Sequence, residues 1–170
     1  DDVIFDATSV NNCLWDLDAS IVTVNSFTLA TGYTGTVTQG DVDIGIGAGG
    51  LLQQDGVFTC NVNMQIYCHG SFVYEGGTVL SNRINLVMTG NESILAPRYN
   101  MNLLSLRVFG SVQIEEMFVV EKGLEVGPEA VLLTDYIHPI RCGNYPNGFL
   151  IIDGEIRGSG RITVNMFRYD

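Results

Sequence analysis

VDIGIGAGG at residues 42–50, VNMQIYCHG at 62–70, INLVMTG at 84–90 and LSLRVFG at 104–110 are four versions of one phrase. Each opens on alternating apolar residues and closes on a glycine, and Gly50, Gly70, Gly90 and Gly110 stand 20 residues apart. Extending the phrase in both directions gives columns. Val22, Val42 and Val62 keep the interval, and after a slip of two residues Ile84, Leu104 and Leu124 resume it. Val24, Ile44, Met64, Leu86, Leu106 and Val126 run two residues later, and Ile46, Ile66, Met88 and Val108 two later again. Alternation over five residues is the signature of a strand with one face buried. The closing glycine suits a corner of positive φ.

Each unit continues in the same way. An apolar residue returns after the corner as Leu51, Phe72, Ile94, Val112 and Val131, and a third glycine-led segment repeats as Gly35-Thr36-Val37, Gly56-Val57-Phe58 and Gly77-Thr78-Val79. Three short strands and three corners in about 20 residues, with no helical period, make one coil of a parallel β-solenoid. One coil cannot bury its inward side chains. Stacking coils at roughly 4.8 Å does so, and six or seven of them give a rod about 30 Å long. The fold expected is therefore all-β, a short parallel β-solenoid, with a β-sandwich or jelly roll as the alternative, since these also use short strands and glycine-rich turns. Matching residues every 20 positions favour the solenoid. The inward ladder expected is Ile44, Met64, Leu86 and Leu106.

One domain spans 1–170 on this reading. Residues 1–19 form a cap or partial coil, 20–133 the regular coils, 134–148 an excursion holding two of the four prolines, and 149–170 the terminal strands. Composition narrows the function. Nineteen acidic residues face eight basic ones, Lys122 is the sole lysine, and the net charge is −11, which opposes binding to nucleic acid. No apolar run approaches the roughly 18 residues of a membrane span, and DDVIFDATSV lacks the basic and apolar regions of a signal peptide, so Asp1 reads as the start of a processed or trimmed chain. Abundant Gly, Asn, Thr and Val, few charges and an even number of cysteines point to an extracellular setting.

Candidate chemistry is sparse. Cys13, Cys60, Cys68 and Cys142 form no CxxC pair, which removes the usual zinc and redox patterns and leaves disulfides as the reading, against small buried apolar residues as the alternative. The expectation is that Cys13 or Cys142 bonds another molecule, and that Cys60 and Cys68 pair together or across a lateral contact. His69 and His138 lie near Cys68 and Cys142 but have no further ligand set, so turn and loop roles are expected. Asp41 and Asp43 sit in a Gly-Asp segment like a calcium loop, yet the segment does not recur. The outward column after Asp43 reads Asn63, Asn85 and Ser105, a polar face that an asparagine ladder explains. Asn91-Glu92-Ser93 is the one glycosylation sequon, with Asn91 as acceptor. Tyr33 is expected to pack a corner. No catalytic, cofactor or metal residue is assigned.

Residues 24–60, VNSFTLATGYTGTVTQGDVDIGIGAGGLLQQDGVFTC, resemble the coils of large secreted β-solenoid proteins of bacteria and archaea. A short, acidic, cysteine-bearing solenoid is also similar in architecture to what tiles an archaeal sheath, of the kind made by filamentous methanogens, or a surface layer. What the resemblance implies is a non-enzymatic cell-surface protein whose partner is itself, assembling through its ends, edges and disulfides. A glycan-binding adhesin or viral spike shaft is the alternative, with glycan as partner, and a polysaccharide lyase of the pectate-lyase type stands third. An enzyme would stack acidic and basic residues on one face, and a glycan binder would show an aromatic row. The sequence has neither.

Overall fold

The computed structural model describes residues 1–20, 22–80, 84–97, 101–134, 140–142, 149–159 and 162–164, with the backbone alone for 140–142 and 163–164. All its strand pairs are parallel, and no described residue is helical. The chain winds as a β-solenoid of about six turns of some 21 residues. The sandwich is thereby excluded.

Each coil has three faces. The first stacks the opening halves of Thr23–Leu29 and Ile44–Gln53 with Gln65–Cys68, Ile84–Met88, the closing parts of Asn102–Val108 and Phe118–Val126, and Phe149–Ile152. The second face begins with Asp2–Phe5, takes the closing halves of Thr23–Leu29 and Ile44–Gln53, and runs through Phe72–Tyr74, Ser93–Ala96, Ser111–Ile114 and Val131–Leu133 to Glu155–Arg157. Cys13–Trp15, Thr36–Gln39, Val57–Thr59 and Thr78–Leu80 form the third as a separate four-stranded sheet. Register shifts between Val24 and Ser26 and between Leu103 and Ser105 occur where one strand carries the chain from face to face.

The core is built from inward columns. On the first face Ile44, Ile66, Leu86, Leu106, Leu124 and Leu150 are successive partners, and beside them run Val24, Ile46, Cys68, Met88, Val108, Val126 and Ile152. From Ile44 to Leu124 and from Val24 to Val126 both columns are buried. The expected ladder is corrected at one rung: Ile66, not Met64, lies between Ile44 and Leu86, and Met64 is half-buried. The two-residue slip thus falls one coil earlier, where the turn at 61–64 lengthens the coil to 22 residues between Ile44 and Ile66. A second correction concerns the second face. Phe72 pairs with Leu95, which is buried, while Ile94 is only half-buried. The third-face repeat stands as read, with Val37, Phe58 and Val79 in register.

The glycine column has a different cause from the one expected. Only Gly50 in it has positive φ, at 74°. A Cβ on Gly90 would lie 1.6 Å from the carbonyl oxygen of His69, and one on Gly110 would lie 2.1 Å from that of Gly90. Here glycine is required because the corner of one coil presses on the backbone of the coil beneath. Two corners use a buried glutamine. Gln39 donates from Nε2 to the carbonyls of Val42 and Gln65 and accepts at Oε1 from the Asn61 amide, and Gln53 donates to the carbonyl of Thr78. These bonds satisfy backbone groups that the turns take out of the ladder.

Residues 1–19 include a partial coil. Asp2–Phe5 and Cys13–Trp15 pair in register with the coil above, and Phe5, Trp15, Phe27, Tyr33 and Phe58 form a chain of ring contacts with centroids 5.2–6.2 Å apart. Within the expected excursion, Ile140–Cys142 rejoin the ladder against Phe118–Val120 and then Ile162–Val164, while 135–139 and 143–148 lie outside the described residues.

Two outcomes are expected from this packing. Leu86→Asp places an unpaired carboxylate in the middle of a closed column, where its desolvation costs several kcal/mol, so the variant should lose its folded circular dichroism; a wild-type melting curve would contradict the assigned register. Gly90→Ala should lower stability by about 1–3 kcal/mol, measured by chemical denaturation, because the clash is with backbone rather than with a movable side chain.

Candidate binding cleft on the first face

Outward positions of the first face are occupied in successive coils by Thr23, Gly45, Tyr67 and Val87. Tyr67 is 37% exposed, and Val87 beside it is 4% exposed. On its other side Gly45 offers no side chain. The segment that follows Trp15 folds across this end of the face, anchored by the Ala19 amide, which donates to the Asp43 carbonyl at 3.0 Å. Together these elements enclose a cleft of about 440 Å³ lined by Asp18, Ser20, Thr23, Asp43, Gly45, Tyr67, His69 and Thr89, with Ala19 and Ile46.

The polar groups of the cleft are held in place. Asp43 Oδ1 accepts from the Gln65 amide at 2.7 Å, and Asp18 Oδ1 accepts from the Ser20 amide at 2.8 Å. The backbone and side-chain hydrogen bonds from Ser20 hold the Asp18 carboxyl below the usual carboxylate range. His69 Nδ1 stands 3.3 Å from Thr89 Oγ1 in the next coil, which orients the ring. A carboxylate with lowered pKa is a hydrogen-bond acceptor at neutral pH and a poor general acid.

A second cleft of about 260 Å³ is lined by Asn63, Gln65, Asn85, Ser105, Arg107, Lys122 and Phe149. The charge of Arg107 is already answered: Nε is 3.2 Å from Glu125 Oε2, and the guanidinium lies 5.9 Å over the Phe149 ring. The expected outward column changes here with the register. Gln65, not Asn63, follows Asp43, and Asn85 does not stack on another asparagine; it donates to the carbonyls of Val62 and Met64 and accepts from Ser105 Oγ at 2.7 Å.

Other residues singled out in the sequence take structural places. Tyr33 is buried at a corner and donates its hydroxyl to the Asn11 carbonyl. Asp41 accepts from Asn61 Nδ2 at 2.9 Å, linking one coil to the next. Among the described residues no group of three His, Cys, Asp or Glu side chains could hold a metal ion. Asn91 is exposed at a corner, whereas Ser93 of the sequon is buried with its hydroxyl 3.4 Å from the His69 carbonyl. His138 lies outside the described residues, as does the side chain of Cys142.

The expected bond between Cys60 and Cys68 is not formed. Cys13, Cys60 and Cys68 are all thiols. Cys60 and Cys68 are buried in the core, and Cys68 fills an inward position between Ile46 and Met88, so neither is placed to bond a neighbouring molecule. Cys13 is half-buried in the first coil. No helix among the described residues is long and apolar enough to cross a membrane. Compared with models of protein families, with curated proteins and with solved structures, the chain gives no match.

Burial pushes the Cys60 thiol up to about 12 and the Cys68 thiol up to about 11 from 9.0. In the folded protein both should resist an aqueous thiol reagent that labels them on unfolding. Their pH linkage has a definite sign. Values raised by folding stabilise the fold fully below pH 9.0, and this contribution is lost as the pH rises toward about 11 and about 12. Alkaline denaturation should therefore be less steep in a Cys60→Ala/Cys68→Ala double variant, and an unchanged pH profile would argue against the buried thiols as its source.

Proposed function

We propose that this chain is an extracellular structural protein, without enzymatic activity, that assembles head to tail into a filament, sheath or surface layer. The observation carrying this reading is the exposed apolar edge of the last described coil. Leu150 and Ile152 continue the two inward columns but are 43% and 45% exposed, whereas their partners Leu124 and Val126 beneath them are fully buried. A parallel sheet edge of this kind is completed by another parallel strand. The first coil of a second copy supplies one in the correct direction.

Charge favours the same pairing. Residues 1–82 contain nine acidic and no basic side chains, while all eight Lys and Arg fall from Arg83 onward. Asp1, Asp2, Asp6, Asp16 and Asp18 belong to the first part of the chain, and Arg157, Arg161 and Arg168 to the last. Two acidic first ends repel each other, whereas residues 149–170, with three acidic and three basic side chains, carry no net charge and meet the acidic end without that repulsion. A contact between two different surfaces is heterologous, and when it joins coils along the solenoid axis it propagates as a filament instead of closing into a ring. Cys13 is the described cysteine from which a bond between copies can be made, and covalent closure there would oppose the local opening of end strands. Recognition of a glycan is the second reading, favoured by the cleft beside Tyr67; it is compatible with assembly, since stacking at the ends leaves the first face open.

Electron microscopy and light scattering test the proposal. Purified protein should form rods whose length grows with concentration and shrinks with added salt. Leu150→Asp/Ile152→Asp should remain as single folded units, since these side chains are already exposed and the closed columns below them are untouched. Dispersed single units at every concentration and ionic strength would overturn the assembly reading.

A further inference from the structure

We propose that the cleft between Asp18, Asp43 and Tyr67 is a binding subsite for an uncharged saccharide, an inference that rests on the glycan reading above and gives it a place and a ligand class. The argument begins with strand spacing. Thr23 and Tyr67 hold the same outward position two coils apart, so their backbones are roughly 9.6 Å from each other. Gly45 fills the middle position without a side chain. Thr23 and Ala19 lean over Gly45, to 2.8 and 3.2 Å from where its Cβ would stand, so the open part of the cleft of about 440 Å³ lies between them and Tyr67, which forms its aromatic wall.

The lining supplies what a sugar requires. A pyranose has an apolar face of C–H groups and a rim of hydroxyls that donate and accept. Tyr67 offers the aromatic surface. The acidic side chains supply acceptors: Asp43 has one oxygen committed to the Gln65 amide and Oδ2 in reserve, and Asp18 is ionised at neutral pH. Ser20, Thr89 and His69 supply groups that both donate and accept. Few precisely placed polar groups around an apolar surface are the common composition of small-molecule sites. The site is also preformed, because the carboxylates and the imidazole are positioned by hydrogen bonds within the protein and Tyr67 is flanked by buried Val87.

Charge sets the ligand class. Two carboxylates line the cleft, and among the described residues neither a lysine nor an arginine does. An acidic sugar would bring a third negative charge into this group, so uronates and sulfated sugars are disfavoured. The lowered pKa of Asp18 fits holding a ring rather than cleaving it.

The test is titration of the full chain, observed by nuclear magnetic resonance, with cellotetraose, maltotetraose and chitotetraose as neutral probes and tetragalacturonate as the acidic probe. At least one neutral probe should bind, with tetragalacturonate at least tenfold weaker. Tyr67→Ala, with wild-type circular dichroism, should weaken the neutral probe about tenfold or more through loss of the stacking wall. Asp18→Asn should weaken it without altering the melt. If Tyr67→Ala fails to fold, Tyr67→Ser and competition of the wild type with free probe in labelling of Tyr67 replace it. Binding that survives every cleft variant, or that prefers tetragalacturonate, would overturn this site while leaving glycan recognition standing elsewhere on the rod. A wider panel of immobilised glycans in which nothing is retained would remove the glycan reading and the site together.

Discussion

Everything in this molecule depends on parallel, in-register pairing between residues about 20 positions apart. The pairing is non-local at every rung, since an isolated coil buries nothing and its strands, three to ten residues long, have no partner within it. Once coils stack, one choice of register fixes all faces together: the same alignment that closes Ile66 onto Ile44 and Leu86 puts Tyr67 beside Gly45 and Gln65 under Asn85. A slip of one residue would turn the apolar columns outward and the polar ones in. Glycine at the corners is the condition for this closeness, because the Gly90 corner rests directly on the His69 carbonyl.

Surface carboxylates serve the stack more than ion pairs do. Asp2 accepts from Asn25 and Ser26, Asp41 from Asn61, Asp43 from the Gln65 amide, and Asp55 from the amides of Gly32 and Gly56. Most of these bonds join consecutive coils, and those to Asp2 and Asp55 hold the carboxyls below their usual range. Depressed values of this kind stabilise above the unfolded pKa and are lost as acid protonates the group. A chain with almost no cations can therefore be well stitched. Exposed pairs such as Arg157–Glu155 add little, because solvent screens them.

Period and fold class were legible in the sequence because the inward residues and the corner glycines repeat together. Phase was legible only in part. Val62 and Met64 have the alternation of a strand, yet the amides around them are claimed by the Asn61 side chain and by a turn, and the strand starts at Gln65. Hydrophobic spacing cannot distinguish two apolar residues before a strand from two within it. The cysteines misled for a related reason: Cys68 keeps the place of Ile46 and Met88 in a column, so it behaves as a small apolar residue, while cysteine in an extracellular-looking composition suggests a disulfide. The cleft was not legible, since its lining runs from Asp18 to Thr89 and converges only when the segment after Trp15 folds across the first face.

The first and last described coils obey the same ladder but end it differently, and in the assembly proposed above this difference would supply a direction. At the first coil an aromatic cluster fills the interior: Trp15 packs edge-on to Phe27 at 5.2 Å, and its indole N–H donates to the Leu17 carbonyl. The described last coil presents aliphatic side chains standing on closed columns, with the strand edge beside them. An aliphatic surface set against its own kind would join like ends, bring two similar charge distributions together and, in a parallel stack, oppose the strand directions. Placed instead against the first coil of a second copy, the same edge would meet strands running the same way, in a part of the chain that is acidic and whose aromatic rings are largely buried. The order of coils along the chain thus sets a polarity that a stack of such rods would inherit.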